Sequence, residues 1–84
     1  MVSMGTQTYV SADPVEILRG AVLVNAVKII VLHNHPLGSA EPSPADIKGA
    51  RTLKEKGAVL NIELHDSIVI GDSGYVSLAE RGLI

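Results

Sequence analysis

The sequence predicts a small α/β (α+β) domain with its elements in the order β-α-β-α-β-β-β. Three observations carry that prediction. Two segments, Asp13-Pro14-Val15-Glu16 and Ser43-Pro44-Ala45-Asp46, open with a capping residue and a proline, the chemistry of a helix N-terminus. Between them lies Val27-Lys28-Ile29-Ile30-Val31-Leu32, a nearly unbroken aliphatic run that reads as a strand covered on both faces. Strands alternating with helices in this way place helices on a sheet.

Residues 2–10, VSMGTQTYV, alternate as a strand, with Gly5 marking a bulge or a close backbone approach. Asp13 caps the first helix and Pro14 takes its first position. Glu16 stands where a capping-box carboxylate would, a better account of it than catalysis. The helix runs to about Asn25, with Ile17, Leu18, Ala21, Val22 and Val24 as its apolar face. The second helix runs from Ser43 to Lys56 and stops at Gly57. Ile47, Ala50 and Leu53 share one of its faces, and Lys48, Arg51 and Lys54 line another. That basic line is most simply a solvated face, since phosphate contacts there lack aromatic neighbours. Residues 58–64 and 67–70 read as two strands. Gly71-Asp72-Ser73-Gly74 then turns the chain into Tyr75-Val76-Ser77-Leu78, so the last two strands form a hairpin. Residues 79–82 make one helical turn. No internal repeat or low-complexity tract interrupts residues 1–84, read as a single domain.

Composition narrows the function classes. With 84 residues, 46% of them hydrophobic, the chain can build one modest core. Folds of this size commonly lean on a metal, an oligomer partner or flanking sequence. The absence of cysteine excludes disulfides and thiolate zinc sites, which leaves His, Asp and Glu as metal ligands. No apolar run approaches the roughly 20 residues that span a bilayer, and MVSMGTQT lacks the pattern of a secretory signal. A soluble, cytoplasmic protein is the default expectation. A net charge of −2 and only two aromatic residues, Tyr9 and Tyr75, give little support to nucleic-acid binding.

The chemistry concentrates in residues 33–46, HNHPLGSAEPSPAD. His33 and His35 are two apart, so in a strand both imidazoles share one face and can reach one ion. Pro36 ends the strand, and Gly38, Pro42 and Pro44 stiffen the loop that follows. Asp46, in the first turn of the next helix, can bring a carboxylate back over the imidazoles. Two His and one Asp with an open fourth position make a catalytic rather than a structural zinc site, in which bound water reaches a pKa of about 7. Ser43-x-x-Asp46 is equally a capping box that needs no metal. Spacing alone leaves the two readings balanced. The missing Cys pair argues against a cytidine-deaminase-type zinc centre.

His-x-His-Pro, six residues and then Ser-x-x-Asp resembles the JAMM (MPN-plus) metalloprotease motif, here at His33, His35, Ser43 and Asp46. The fuller run from His33 to Asp46 resembles the RadC branch of that family. So do Asn25-Ala26 before the strand, and Ile70-Gly71-Asp72 through Tyr75-Val76-Ser77-Leu78 to Glu80-Arg81-Gly82. The resemblance covers essentially the whole chain. It implies a cytidine-deaminase-like sheet flanked by helices, and a Zn²⁺ held by His33, His35 and Asp46. It implies too that Ser43 helps hold the substrate carbonyl and its oxyanion. The implied activity is that of a zinc-dependent metallopeptidase or isopeptidase, in which metal-activated water attacks an amide carbonyl.

The chain departs from the family pattern in three places. The family's catalytic Glu lies just before the Gly-Thr matched by Gly5-Thr6, so its equivalent falls at or before Met1 and no residue fills it. Glu41 is the only nearby carboxylate, and its loop position suggests a solvated residue. Leu37 stands where a serine is usual, and Asp66-Ser67 where the family commonly has Asp-His; His65 reads as structural or exposed. A chain that begins inside a strand suggests an N-terminally truncated domain lacking the first strands. The alternative function is accordingly a catalytically inactive domain that binds partners. It would self-associate through an exposed sheet edge or, with less support, associate with DNA.

Overall fold

The structure, a computed structural model, describes residues 5–10, 13–35 and 38–84. Asp13 caps α1 (Pro14–Leu23) by accepting the Val15 N–H at 2.8 Å, and Ser43 caps α2 (Pro44–Val59). Strand β1 (Thr6–Val10) precedes α1, and β2 (Lys28–Asn34) lies between the helices. The chain ends with β3 (Glu63–Ile70), β4 (Tyr75–Ser77) and a turn over 78–82. The start of the predicted first strand at residues 2–4, and Pro36 and Leu37, lie outside the described residues.

The four strands form one mixed α/β sheet in the order β1-β2-β3-β4. The first three are parallel and β4 returns antiparallel to β3, the expected hairpin. Both crossovers advance across the sheet in the same direction, so right-handed connections put α1 and α2 on the same face. There they pack together over one core. Ile17 and Ala21 of α1, Ala50 and Leu53 of α2, Ile29 and Val31 of β2, Leu64 of β3 and Leu78 form it. Full burial of each large aliphatic side chain contributes roughly 1.5–3 kcal/mol.

Three expectations change. The two strands predicted across residues 58–70 are one, so the order is β-α-β-α-β-β. The polar residues that seemed to divide them mark a register shift: Ile29 pairs with Leu64 and Ile30 with Asp66, leaving His65 as the extra residue of a bulge. Second, Gly57 does not stop α2. It lies buried inside the helix, where a Cβ would meet the Ile62 carbonyl oxygen at 2.6 Å. The left-handed residue that reverses the chain is Asn61 (φ 59°), one of the few residue types that takes this conformation readily. Third, β2 is covered on one face only. Ile29 and Val31 are buried against the helices, while Ile30 and Leu32 are half-buried on the other face.

Gly5 keeps the predicted close approach. With φ at 89° its carbonyl accepts from Val27 N–H at 2.6 Å and Lys28 N–H at 2.9 Å. A Cβ there would lie 2.7 Å from the Val27 side chain. This contact sets β1 against β2, whose far end carries His33 and leads into His35.

Candidate metal centre

His33 is in the last turn of register of β2, opposite Val69 of β3. The alternation of the strand directs it to the same side as Ile29 and Val31, toward α2. His35 follows just beyond the strand, where its backbone N–H donates to the Ile70 carbonyl at 2.7 Å. Asp46 arrives from the first turn of α2, fixed by a complete capping box. Its backbone N–H donates to Ser43 Oγ at 3.1 Å, and its Oδ2 accepts the Ser43 N–H at 2.8 Å.

These three side chains meet. His33 Nε2 lies 3.0 Å from Asp46 Oδ1, and His35 Nε2 lies 3.0 Å from Asp46 Oδ2. The imidazoles stand edge to face, with centroids 6.0 Å apart. Asp46 is largely buried while both rings keep part of their surface in water. Burial alone would raise the Asp46 carboxyl. The Ser43 backbone N–H, the Ser43 hydroxyl and the two histidines outweigh it and hold the group below the ordinary carboxylate value. The capping box and the candidate ligand set are therefore not rivals. One carboxylate can do both, because a capping carboxylate has spare lone pairs.

Among the described residues no group of three or more His, Cys, Asp or Glu side chains has the arrangement of a formed metal centre. The histidines close directly on the carboxylate instead. The donor set nevertheless fits an ion. Two ligands on a tetrahedral zinc with bonds of about 2.0–2.1 Å lie roughly 3.3 Å apart, so the two 3.0 Å separations need only a slight opening. His35 Nδ1 faces the Ser39 carbonyl at 3.1 Å. A carbonyl only accepts, so Nδ1 carries a proton in this contact, the arrangement in which Nε2 would be the ring's metal-binding atom.

The loop between the histidines and α2 is held from the β3–β4 turn. Asp72 N–H donates to the Gly38 carbonyl at 3.0 Å, and a Cβ on Gly71 would run into the Ala40 nitrogen and sit 2.8 Å from the Gly38 carbonyl oxygen. Arg81 pairs with Glu41 at 2.7 Å. Glu41, exposed as expected, points to that pair rather than to the histidines. These supports were not apparent from the residues, because backbone contacts across the fold leave no side-chain signature in the sequence.

The scan against family models decides the relationship: the RadC-like JAB domain matches residues 1–83. The chain belongs to the RadC-like JAB domain family. Relatives of this RadC-like domain include the UPF0758 protein of Enterococcus faecalis, 46% identical over 70 residues, which is 83% of this chain and 30% of that protein. The UPF0758 protein of Desulfitobacterium hafniense (strain DSM 10664 / DCB-2) is 41% identical over 83 residues, 99% of this chain and 37% of that one. That of Nitrosomonas europaea is 46% identical over 80 residues, 95% and 36%. The chain thus spans about a third of the length of the curated relatives it matches.

The other candidates fall away from the RadC-like site. His65 is exposed and lies 3.5 Å from Glu63 on the surface. Lys48, Arg51 and Lys54 are exposed on α2, but Arg51 Nε is taken up by the Leu83 carbonyl at 2.8 Å. Among the described residues no helix is long and apolar enough to cross a membrane.

Proposed function

We propose that this RadC-like domain is a zinc-dependent hydrolase of the metallopeptidase or isopeptidase type, with His33, His35 and Asp46 as metal ligands. The observation that carries the reading is the convergence of both Nε2 atoms on one buried carboxylate. A zinc ion held there supplies Lewis acidity toward an amide carbonyl and a nucleophile at neutral pH.

The chain's own residues divide the remaining work. Asp46 is kept ionised by the Ser43 N–H and the flanking imidazoles. The Ser39 carbonyl orients His35. Ser43 Oγ accepts from Asp46 N–H, and its hydroxyl proton, which otherwise supports the Asp46 carboxylate, can turn to a substrate carbonyl oxygen as negative charge develops there. Release of free lysine ε-amine from an ε-acyl-lysine peptide by the zinc-loaded protein tests the reading. It predicts cleavage that disappears in Asp46→Ala and falls roughly 100-fold or more in Ser43→Ala. Cleavage that persists in Asp46→Ala rules it out.

A second reading is supported by one feature. Asp46 is the only carboxylate described at the site, with Glu41 turned to Arg81, so the described residues offer no general base beside the histidines. In that reading the domain binds metal and a partner without turnover. A partner strand would add to β1, which pairs only with β2 among the described residues. Zinc binding with no amide cleavage, together with concentration-dependent association in sedimentation, would select it.

A further inference from the structure

His33 and Asp46 help to line a half-open cavity of about 190 Å³ between α1, α2 and the sheet. Its walls are the apolar side chains of Ile17, Val31 and Leu53, each no more than 6% exposed. Two polar side chains face it from the sheet, His33 of β2 and Ser67 of β3. Ser67 is 7% exposed.

One of the three helical glycines, Gly49, lines the same space. Glycine in a helix interior costs stability relative to alanine, so each one calls for a reason. At Gly20 a Cβ would press on the Tyr9 hydroxyl at 3.2 Å, and at Gly57 on the Ile62 carbonyl at 2.6 Å. At Gly49 a Cβ would meet nothing within 4 Å. No part of the described chain uses the room that Gly49 leaves, and that room opens into the cavity next to the candidate ligands.

We propose that this cavity receives one small aliphatic side chain of the substrate, adjacent to the amide held at His33 and Asp46, and that Gly49 keeps it open. The proposal rests on the metallohydrolase reading for the adjacent amide, but the cavity's selectivity can be tested without metal. Apolar cavities of roughly 150 Å³ accept a benzene-sized group, so the space suits a side chain of leucine size. The one carboxylate that lines it, Asp46, is already engaged by two histidines, so a lysine ammonium would find no free partner there. A glycine would leave it empty.

The test uses N-acetyl-leucinamide, N-acetyl-glycinamide and N-acetyl-lysinamide as probes, titrated into the full chain. Binding is followed by methyl NMR shifts of Ile17, Val31 and Leu53. The leucine probe is expected to bind about tenfold or more tightly than the other two. Gly49→Ala reduces that preference and Gly49→Leu abolishes it, both with zinc content unchanged; the alanine variant, in open space on a helix, secures a folded comparison. Equal affinity for the three probes, or a leucine preference untouched in both variants, overturns the proposal. A protein that takes up no zinc yet keeps the leucine preference would instead refute the metallohydrolase reading alone.

Discussion

Ser43→Ala separates the two duties that meet at the start of α2. The hydroxyl accepts the Asp46 N–H at 3.1 Å, and an N-cap of this kind is worth about 1 kcal/mol, within a range of roughly 0.5–2. The other half of the capping box, Ser43 N–H to Asp46 Oδ2 at 2.8 Å, uses the backbone and survives the substitution. So do both contacts from the histidines to Asp46. For a domain of this size a loss of about 1 kcal/mol lowers Tm by roughly 4–8 °C. Thermal unfolding of the metal-free variant followed by circular dichroism should show that drop. Titration with zinc should then give an affinity within a few-fold of the parent, because no ligand has been removed. An unchanged Tm would mean that Ser43 does not cap α2. Loss of zinc affinity as complete as in Asp46→Ala would mean that the hydroxyl is itself a ligand.

Asp46, held below the ordinary value of 3.8, gives a signed pH dependence. Its contribution to stability is complete above that value and is lost as the pH falls through the lower folded-state value. In metal-free protein the urea stability gap between parent and Asp46→Asn should be wider at pH 5 than at pH 2; an equal gap contradicts the assignment. Gly71→Ala drives a Cβ against the Gly38 carbonyl and the Ala40 nitrogen, so it should displace the loop whose Ser39 carbonyl orients His35. Zinc affinity, measured against a competing chelator, should fall about 10–100-fold; an unchanged affinity means the turn does not position the loop. Gly57→Ala should destabilise by about 1–3 kcal/mol because of the Ile62 carbonyl 2.6 Å away. Gly49→Ala should stabilise by up to about 1 kcal/mol, and urea unfolding of both variants distinguishes them.

Local chemistry made much of this fold legible. Asp13-Pro14 and Ser43-Pro44 placed both helix starts because caps are written within four residues. The β2 run and the turn at 71–74 placed the sheet and its hairpin. Where partners are distant the reading slipped. Gly57 looked like a helix stop because glycine commonly is one, yet it is there to admit the Ile62 carbonyl, a contact across a turn. His65-Asp66 looked like a break between strands, since a bulge against β2 cannot be seen from β3 alone. Aliphatic composition made β2 seem covered on both faces, but with both crossovers on one side the sheet offers Ile30 and Leu32 no described helix. At the site, the His-x-His period and the Ser-x-x-Asp cap were each visible, and the fold joins them into one cluster. The hold on the loop by Gly71, Asp72 and Arg81, and the space left at Gly49, depend on three-dimensional neighbours that no spacing announces.

His33, His35 and Asp46 are expected to hold a metal ion. Metal analysis of the purified protein, with zinc titration by calorimetry, tests it most directly when paired with the His33→Ala/His35→Ala double variant. About one zinc per chain is expected in the parent and none in the double variant. A parent free of zinc that also fails to take it up, or a double variant that binds as well as the parent, would contradict it.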